Sequence, residues 1–231
     1  MEKGHITNLV TVGSRNRPAN VQRCFQHLKA MSHISDFMLL INEDQRNLYN
    51  DIDGVTTVIV PASYGTTSCA KANYFAEQKL YKGYFTVSGI DDDCIVTTDG
   101  WDLLLSLPLK AKGYGVSWGN DTIQEGRVPT KWTITTNIIE ALGFICPPEL
   151  IHLFVDDFLA RIGKELNSAH YAPHVMMEHH HWLNKKAEMD ETYMETASRE
   201  TWEHDERIYT EYMTGQFHED IERVKKALKI A

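Results

Sequence analysis

The chain has 231 residues, with 23 Lys+Arg against 32 Asp+Glu and a formal net charge of −9 at pH 7. An apolar share of 42% is enough for one large core, or a core with a small appendage, and excludes intrinsic disorder. No apolar stretch is long enough to span a bilayer, and the acidic balance disfavours broad, non-specific binding to nucleic acid.

Residues 8–12 are a β-branched run ending at Gly13-Ser14. Pro18 suits the first turn of a helix, where its missing N–H would be unpaired anyway. That helix should reach Met31, with Val21, Cys24, Phe25 and Leu28 on its inner face. Strands follow at 37–41, stopped by Asn42-Glu43-Asp44, and at 56–60, closed by Pro61. Residues 67–81 read as a helix, and 84–87 as a fourth strand running into Gly89-Ile90-Asp91-Asp92-Asp93. Farther on, 114–118 and 128–133 read as strands, 137–142 as a short helix ended by Gly143, and Pro147-Pro148 as the opening of a helix to Leu166. Residues 174–177 give a strand signal before Glu178-His179-His180-His181. After Lys185 the composition turns charged, and 219–230 is an amphipathic helix.

Strand–helix alternation predicts an α/β fold: a Rossmann-like, mostly parallel central sheet with helices on both faces and a helical C-terminal extension. Residues 1–193 form the expected main domain, split near residue 100 into a nucleotide-binding and an acceptor half, and 194–231 the extension. Such sheets place their sites at the carboxyl ends of the strands, where the polar loops fall. Cys24, Cys69, Cys94 and Cys146 form no C-x-x-C, which points to free thiols in a reducing cytoplasm. Met1 to His5 carry no apolar run of the kind a secretory signal needs.

Three adjacent carboxylates at a strand end repel one another unless solvated or bound to a cation. Alternation turns Asp91 and Asp93 to one side and Asp92 to the other, and two carboxylates on one side suit Mg²⁺ or Mn²⁺. In an extended segment His179 and His181 face the same way, and neutral imidazole is a good Mn²⁺ ligand. Asp156-Asp157, near a helix start, offers a general base. Arg15, Arg17 and Lys71 are the cations placed for phosphates. Gly-rich phosphate loops and a G-x-S-x-G are absent, so P-loop ATPases, dinucleotide dehydrogenases and serine hydrolases lose ground.

Across roughly residues 8–193 the sequence resembles a glycosyltransferase of the GT-A fold, closest to the family 2 type. Thr11-Val12-Gly13-Ser14-Arg15-Asn16-Arg17-Pro18 is similar to that family's nucleotide-holding strand–loop–helix. Asn42 and Asp44 stand where a carboxylate meets the base or ribose, and Lys71-Ala72-Asn73 on the helix before the metal strand. Asp91-Asp92-Asp93 resembles the D-x-D, and Asp156-Asp157 the pair that supplies the base of inverting members. Glu178 to His181, with Lys186-Ala187 and Asp190 to Tyr193, resembles a segment of small phage and actinobacterial members in which a His completes the metal site.

The resemblance implies a nucleotide-sugar donor, UDP by family frequency, and Mn²⁺ or Mg²⁺ on Asp91 and Asp93. Asp157, ahead of Asp156, would be the base, with Trp118 and Trp132 either stacking on a sugar or packing in the core. The implied acceptor is a glycan or a hydroxymethyl-pyrimidine in phage DNA. A sugar nucleotidylyltransferase and a non-catalytic binding protein on the same fold are the competing readings.

Overall fold

The computed structural model describes residues 6–196 and 198–230, so the reading of Met1 to His5 lies outside the described residues. Strands β1 (Asn8–Gly13), β2 (Ser35–Asn42), β3 (Val55–Val60) and β4 (Thr86–Asp91) pair in parallel, in spatial order β3-β2-β1-β4. Their period of two sorts the side chains into two cores. Leu9, Met38 and Leu40 enter one, and Val10, Val12, Leu39 and Ile41 the other.

Helix α1 (Pro18–Met31) covers the second core, with Val21, Cys24, Phe25 and Leu28 buried as their spacing predicts. Helix α2 (Ser68–Glu77) covers the first and is capped by Thr67, whose hydroxyl accepts the N–H of Ala70. It ends short of Tyr81 because the chain turns left-handed at Lys79, with φ of 54°.

Beyond β4 the sheet changes character. Strand β5 (Cys94–Val96) leads to helix α3 (Trp101–Lys112) and strand β6 (Val116–Asn120). Strand β7 (Trp132–Thr135) inserts antiparallel between β4 and β6, and β8 (Ala169–His179) runs parallel to β6 and antiparallel to β5. The full order is β3-β2-β1-β4-β7-β6-β8-β5. The strand expected over 128–133 is therefore mostly loop, and the one expected over 174–177 is the end of an 11-residue strand.

Helix α4 (Thr136–Leu142) follows β7 and ends at Gly143, as expected. The helix expected from Pro147 does not begin there. The chain stays irregular to Phe154, which sits left-handed at φ 64°, and helix α5 (Val155–Glu165) starts after it. Phe158, Leu159 and Ile162 form its buried face, each worth roughly 1.5–3 kcal/mol of apolar burial. The extension is three helices, α6 (Glu191–Thr196), α7 (Arg199–Thr214) and α8 (Phe217–Leu228). Ile208, Phe217, Ile221 and Val224 join the first core.

All four cysteines are free and buried. Among the described residues, no helix is long and apolar enough to cross a membrane.

Candidate active site

The carboxyl ends of β1 and β4 meet side by side, with Gly13 opposite Asp91 in register. Asp91 is the exposed last residue of β4, while Asp92 and Asp93, in the turn that follows, are buried. Ligand atoms of Asp91, Asp93 and His179 lie within 4.8 Å of one another. His179 reaches them because β8 pairs with β5, which places it opposite Cys94.

Asp93 is held from several sides. Tyr193 donates its hydroxyl to Oδ2 at 2.6 Å, leaving Oδ1 buried without a hydrogen-bond donor. Nε2 of His179 stands 3.1 Å from that oxygen. Burial pushes the Asp93 carboxyl upward, but His179, Lys131 and Tyr193 outweigh it and hold the group well below its ordinary value. An imidazole nitrogen facing an unpartnered carboxylate oxygen, with Asp91 beside both, is a mixed N/O donor set that fits Mn²⁺ or Mg²⁺. Asp91 has one oxygen committed already, since the buried Lys131 ammonium sits 2.5 Å from Oδ2.

Asp92 turns the other way, as alternation predicts, and serves the loop after β1. It accepts the Ser14 hydroxyl at 2.5 Å and lies 3.4 Å from the Arg17 guanidinium. Burial and the neighbouring Asp93 push its carboxyl up to about 7, against the opposing pull of Arg17 and Ser14. Arg17 is clasped by Asp190, whose two oxygens accept from Nε at 2.8 Å and Nη2 at 2.7 Å, and its guanidinium lies 3.9 Å over the Tyr193 ring.

Two clefts open beside this centre and share Gly13, Lys71, Asp91, His152 and His179. The first is lined by Ser14, Arg15, Arg17, Asp92, Asp93 and His181, together with Tyr193 and Thr196 of α6. The second holds Thr11, Gly89, Trp132, Phe154 and Asp156. Gly89 is required here, because a Cβ would stand 2.1 Å from the Trp132 ring lying across β4. Trp132 and Trp118 are both buried in the first core; Trp132 also lines the second cleft, and Trp118 packs on Tyr171.

Other expected residues fall differently. Lys71 is buried at the border of the two cavities, donates to the Thr66 carbonyl at 2.5 Å, and is lowered to about 8 by burial and by Arg15. His181 lines the first cavity, but its Nδ1 accepts the Leu183 N–H and its ring packs edge-on to Tyr193. Burial and His179 push His181 down to about 4, so it is a neutral imidazole. Of the acid pair, Asp156 faces the second cavity and Asp157 is exposed outside it. Burial and the adjacent Asp157 raise Asp156 to about 6.

Three residues expected to contact the nucleotide also bond within the fold. Asn73 accepts the N–H groups of Ile145 and Cys146 and donates to the Cys146 carbonyl. Asn42 is buried and donates to the Gly65 carbonyl. Asp44 forms a two-bond pair with Arg15 at the surface. Sequence reasoning missed Lys131 and His152. Neither lies in a motif, and each reaches the centre only through the folding of its loop.

The fold has known counterparts. Neither a protein-family model nor a curated protein sequence matches the chain. Among solved structures, the mannosyltransferase PcManGT from Pyrobaculum calidifontis, in complex with GDP-Man and Mn²⁺, superposes with a TM-score of 0.59 at 10% identity. The match covers 98% of this chain and 75% of that one. TarS of S. aureus superposes at a TM-score of 0.50 and 13% identity over 74% of this chain and 36% of its own. Its 1–349 fragment in complex with UDP gives 0.51 at 12% identity, covering 74% of this chain and 59% of that one. The fold is that of a GT-A-like glycosyltransferase. The chain spans about a third of the length of that TarS chain.

Proposed function

We propose that this chain is a metal-dependent glycosyltransferase that moves a sugar from a nucleoside-diphosphate sugar, UDP-linked in the first instance, to an acceptor hydroxyl with inversion. One observation carries the reading. Asp91, Asp93 and His179 converge at the border of two cavities, one lined by Arg15, Arg17 and Lys71 and the other by the raised carboxyl of Asp156. The structural likeness to a mannosyltransferase that binds GDP-Man and Mn²⁺ supports the donor class and the metal.

Asp91, Asp93 and His179 would hold Mn²⁺ or Mg²⁺, which supplies positive charge to the departing diphosphate. Arg15 and Lys71 bind phosphate oxygens from the first cavity. A phosphate beside Lys71 favours its protonated form and so opposes the lowering that burial causes. Trp132 gives the transferred sugar an apolar wall in the second cavity. Asp156 takes the proton of the acceptor hydroxyl as that oxygen attacks the anomeric carbon. The bond from that carbon to the phosphate oxygen breaks, and its electron pair leaves with the diphosphate. A carboxylate near 6 is a stronger base than an ordinary one and is still ionised at neutral pH.

Thermal unfolding with UDP, GDP, CDP and dTDP, each with and without Mn²⁺, tests the donor site. A nucleotide at 100 times its Kd adds about 2.7 kcal/mol, or roughly 5–10 °C for a chain of this length. Stabilisation by one nucleotide is expected, dependent on Mn²⁺ and lost in Asp93→Ala. No shift with any of them at millimolar concentration refutes the reading.

A further inference from the structure

The geometry points to an acceptor subsite for a sugar ring on the aromatic cluster of Phe154, Tyr209 and Trp202, of which Phe154 lines the second cavity, and so to a carbohydrate acceptor. The inference rests on the glycosyltransferase reading and names the class of its second substrate.

The face is built rather than incidental. Phe154 lies nearly parallel to Tyr209, with ring centroids 5.1 Å apart at 14°, and 5.3 Å from Trp202. Trp202 remains 51% exposed, an unusual position for so large an apolar side chain. Phe154 also lines the second cavity, two residues before Asp156, so the aromatic face continues into the cavity that holds the base.

Phe154 holds a left-handed backbone, φ 64°, which a bulky residue adopts only under constraint. The constraint is visible. Asp205 of α7 is fully buried and accepts the N–H groups of Ile151, His152 and Leu153 at 2.9, 2.8 and 2.7 Å. On the other side, Ser68 pairs with Nδ1 of His152 at 2.8 Å. The loop is thereby held at residues 151–153, immediately before Phe154. Its ring is held on Tyr209 before any ligand arrives, which is how a stacking platform avoids an ordering cost on binding.

The charge around the face selects the ligand. Burial raises the Tyr209 hydroxyl, and Asp157 and Asp156 add to that rise while Arg161 opposes it. Arg161, Arg199 and Arg207 each pair with a carboxylate one turn along their own helix, Glu165, Glu203 and Glu211. An apolar ring surface beside carboxylates suits a sugar, whose C–H face stacks while its hydroxyls donate. It repels a phosphate backbone, which needs unpaired Lys or Arg.

The test uses an array of immobilised oligosaccharides that also carries duplex DNA with hydroxymethylcytosine. It is probed with the full chain plus Mn²⁺ and UDP, as wild type, Trp202→Ala and Trp202→Phe. Trp202 makes no hydrogen bond that the fold needs, and the unfolding temperature of each variant confirms that it folds. Expected is retention of the wild type on at least one oligosaccharide, a loss of tenfold or more in Trp202→Ala, and recovery in Trp202→Phe. Equal retention of Trp202→Ala, retention on the DNA alone, or no oligosaccharide retained overturns the inference. The nucleotide response of the wild type, measured separately by thermal unfolding, reports on the glycosyltransferase reading itself.

Discussion

Asp156 and Asp157 are neighbours in sequence and opposites in setting. One is turned into a cavity with its carboxyl raised to about 6, and the other is left in solvent. The base assignment therefore moves to Asp156. Asp156→Asn is expected to lower kcat by roughly 100-fold or more, the usual scale for a general base, with Asp157→Asn close to wild type. An equal loss in both variants refutes the assignment. Since the base works ionised, kcat/KM should rise with pH through about 6 and then level off. The stability effect has the opposite sign. A carboxyl raised in the folded state contributes stability that is complete below 3.8, its ordinary value, and is lost as pH rises through about 6. Asp156→Asn should flatten that part of the pH–stability profile. Much of this scale was legible in the primary structure. Asp91 and Asp93 could be read from residue type and alternation, and His179 with His181 from their spacing, but which of the two imidazoles stands beside the carboxylates could not. Lys131 could not, since nothing local distinguishes it from a surface lysine.

The element that decides the second cavity is the irregular segment before α5. Two prolines at 147–148 read as a helix opening, yet the helix starts at Val155, because the intervening backbone bonds to Asp205 instead of to itself. A segment's own residues cannot reveal a hydrogen-bond partner more than 50 positions away. Asp205→Asn keeps one acceptor oxygen and places an amide against backbone donors, orphaning at least one of the three N–H groups. Such a loss costs about 2 kcal/mol, and a chain of this length should melt roughly 4–8 °C lower. An unchanged melting temperature would show that the loop is held by its Ser68 and Cys69 contacts alone. Helix α6 illustrates the same dependence. Its Tyr193 reaches Asp93, 100 residues earlier in the chain, and Asp190 just before it reaches Arg17.

Across the whole molecule, the C-terminal helices share the core of the sheet. Ile208, Phe217, Ile221 and Val224 pack in one cluster with Phe75, Ile138 and Phe158. Each buried side chain contributes roughly 1.5–3 kcal/mol, so the four sum to about 6–12 kcal/mol, comparable to the entire stability of an ordinary domain. A chain truncated after Ser198 is expected to lose its cooperative unfolding transition. A truncated chain with a sharp, unshifted melt would show that the residues after 198, most of the extension expected over 194–231, form a separable appendage.

The first hundred residues could be read because their information is local. A fully buried parallel strand is a β-branched run, a covering helix shows period 3.6, and a sheet of this kind places its polar loops at one edge. From residue types alone came the fold class, the acidic metal edge and the cations after β1. The tertiary structure decided which acidic neighbour faces a cavity, which asparagines are consumed by backbone, and that Lys131, His152 and Tyr193 belong to the site. Those outcomes depend on antiparallel β7 entering between β4 and β6, on β8 pairing with β5, and on α7 supplying a buried carboxylate to a distant loop. Pairings of that range are selected by the packing of the whole core, and no window along the chain contains both partners.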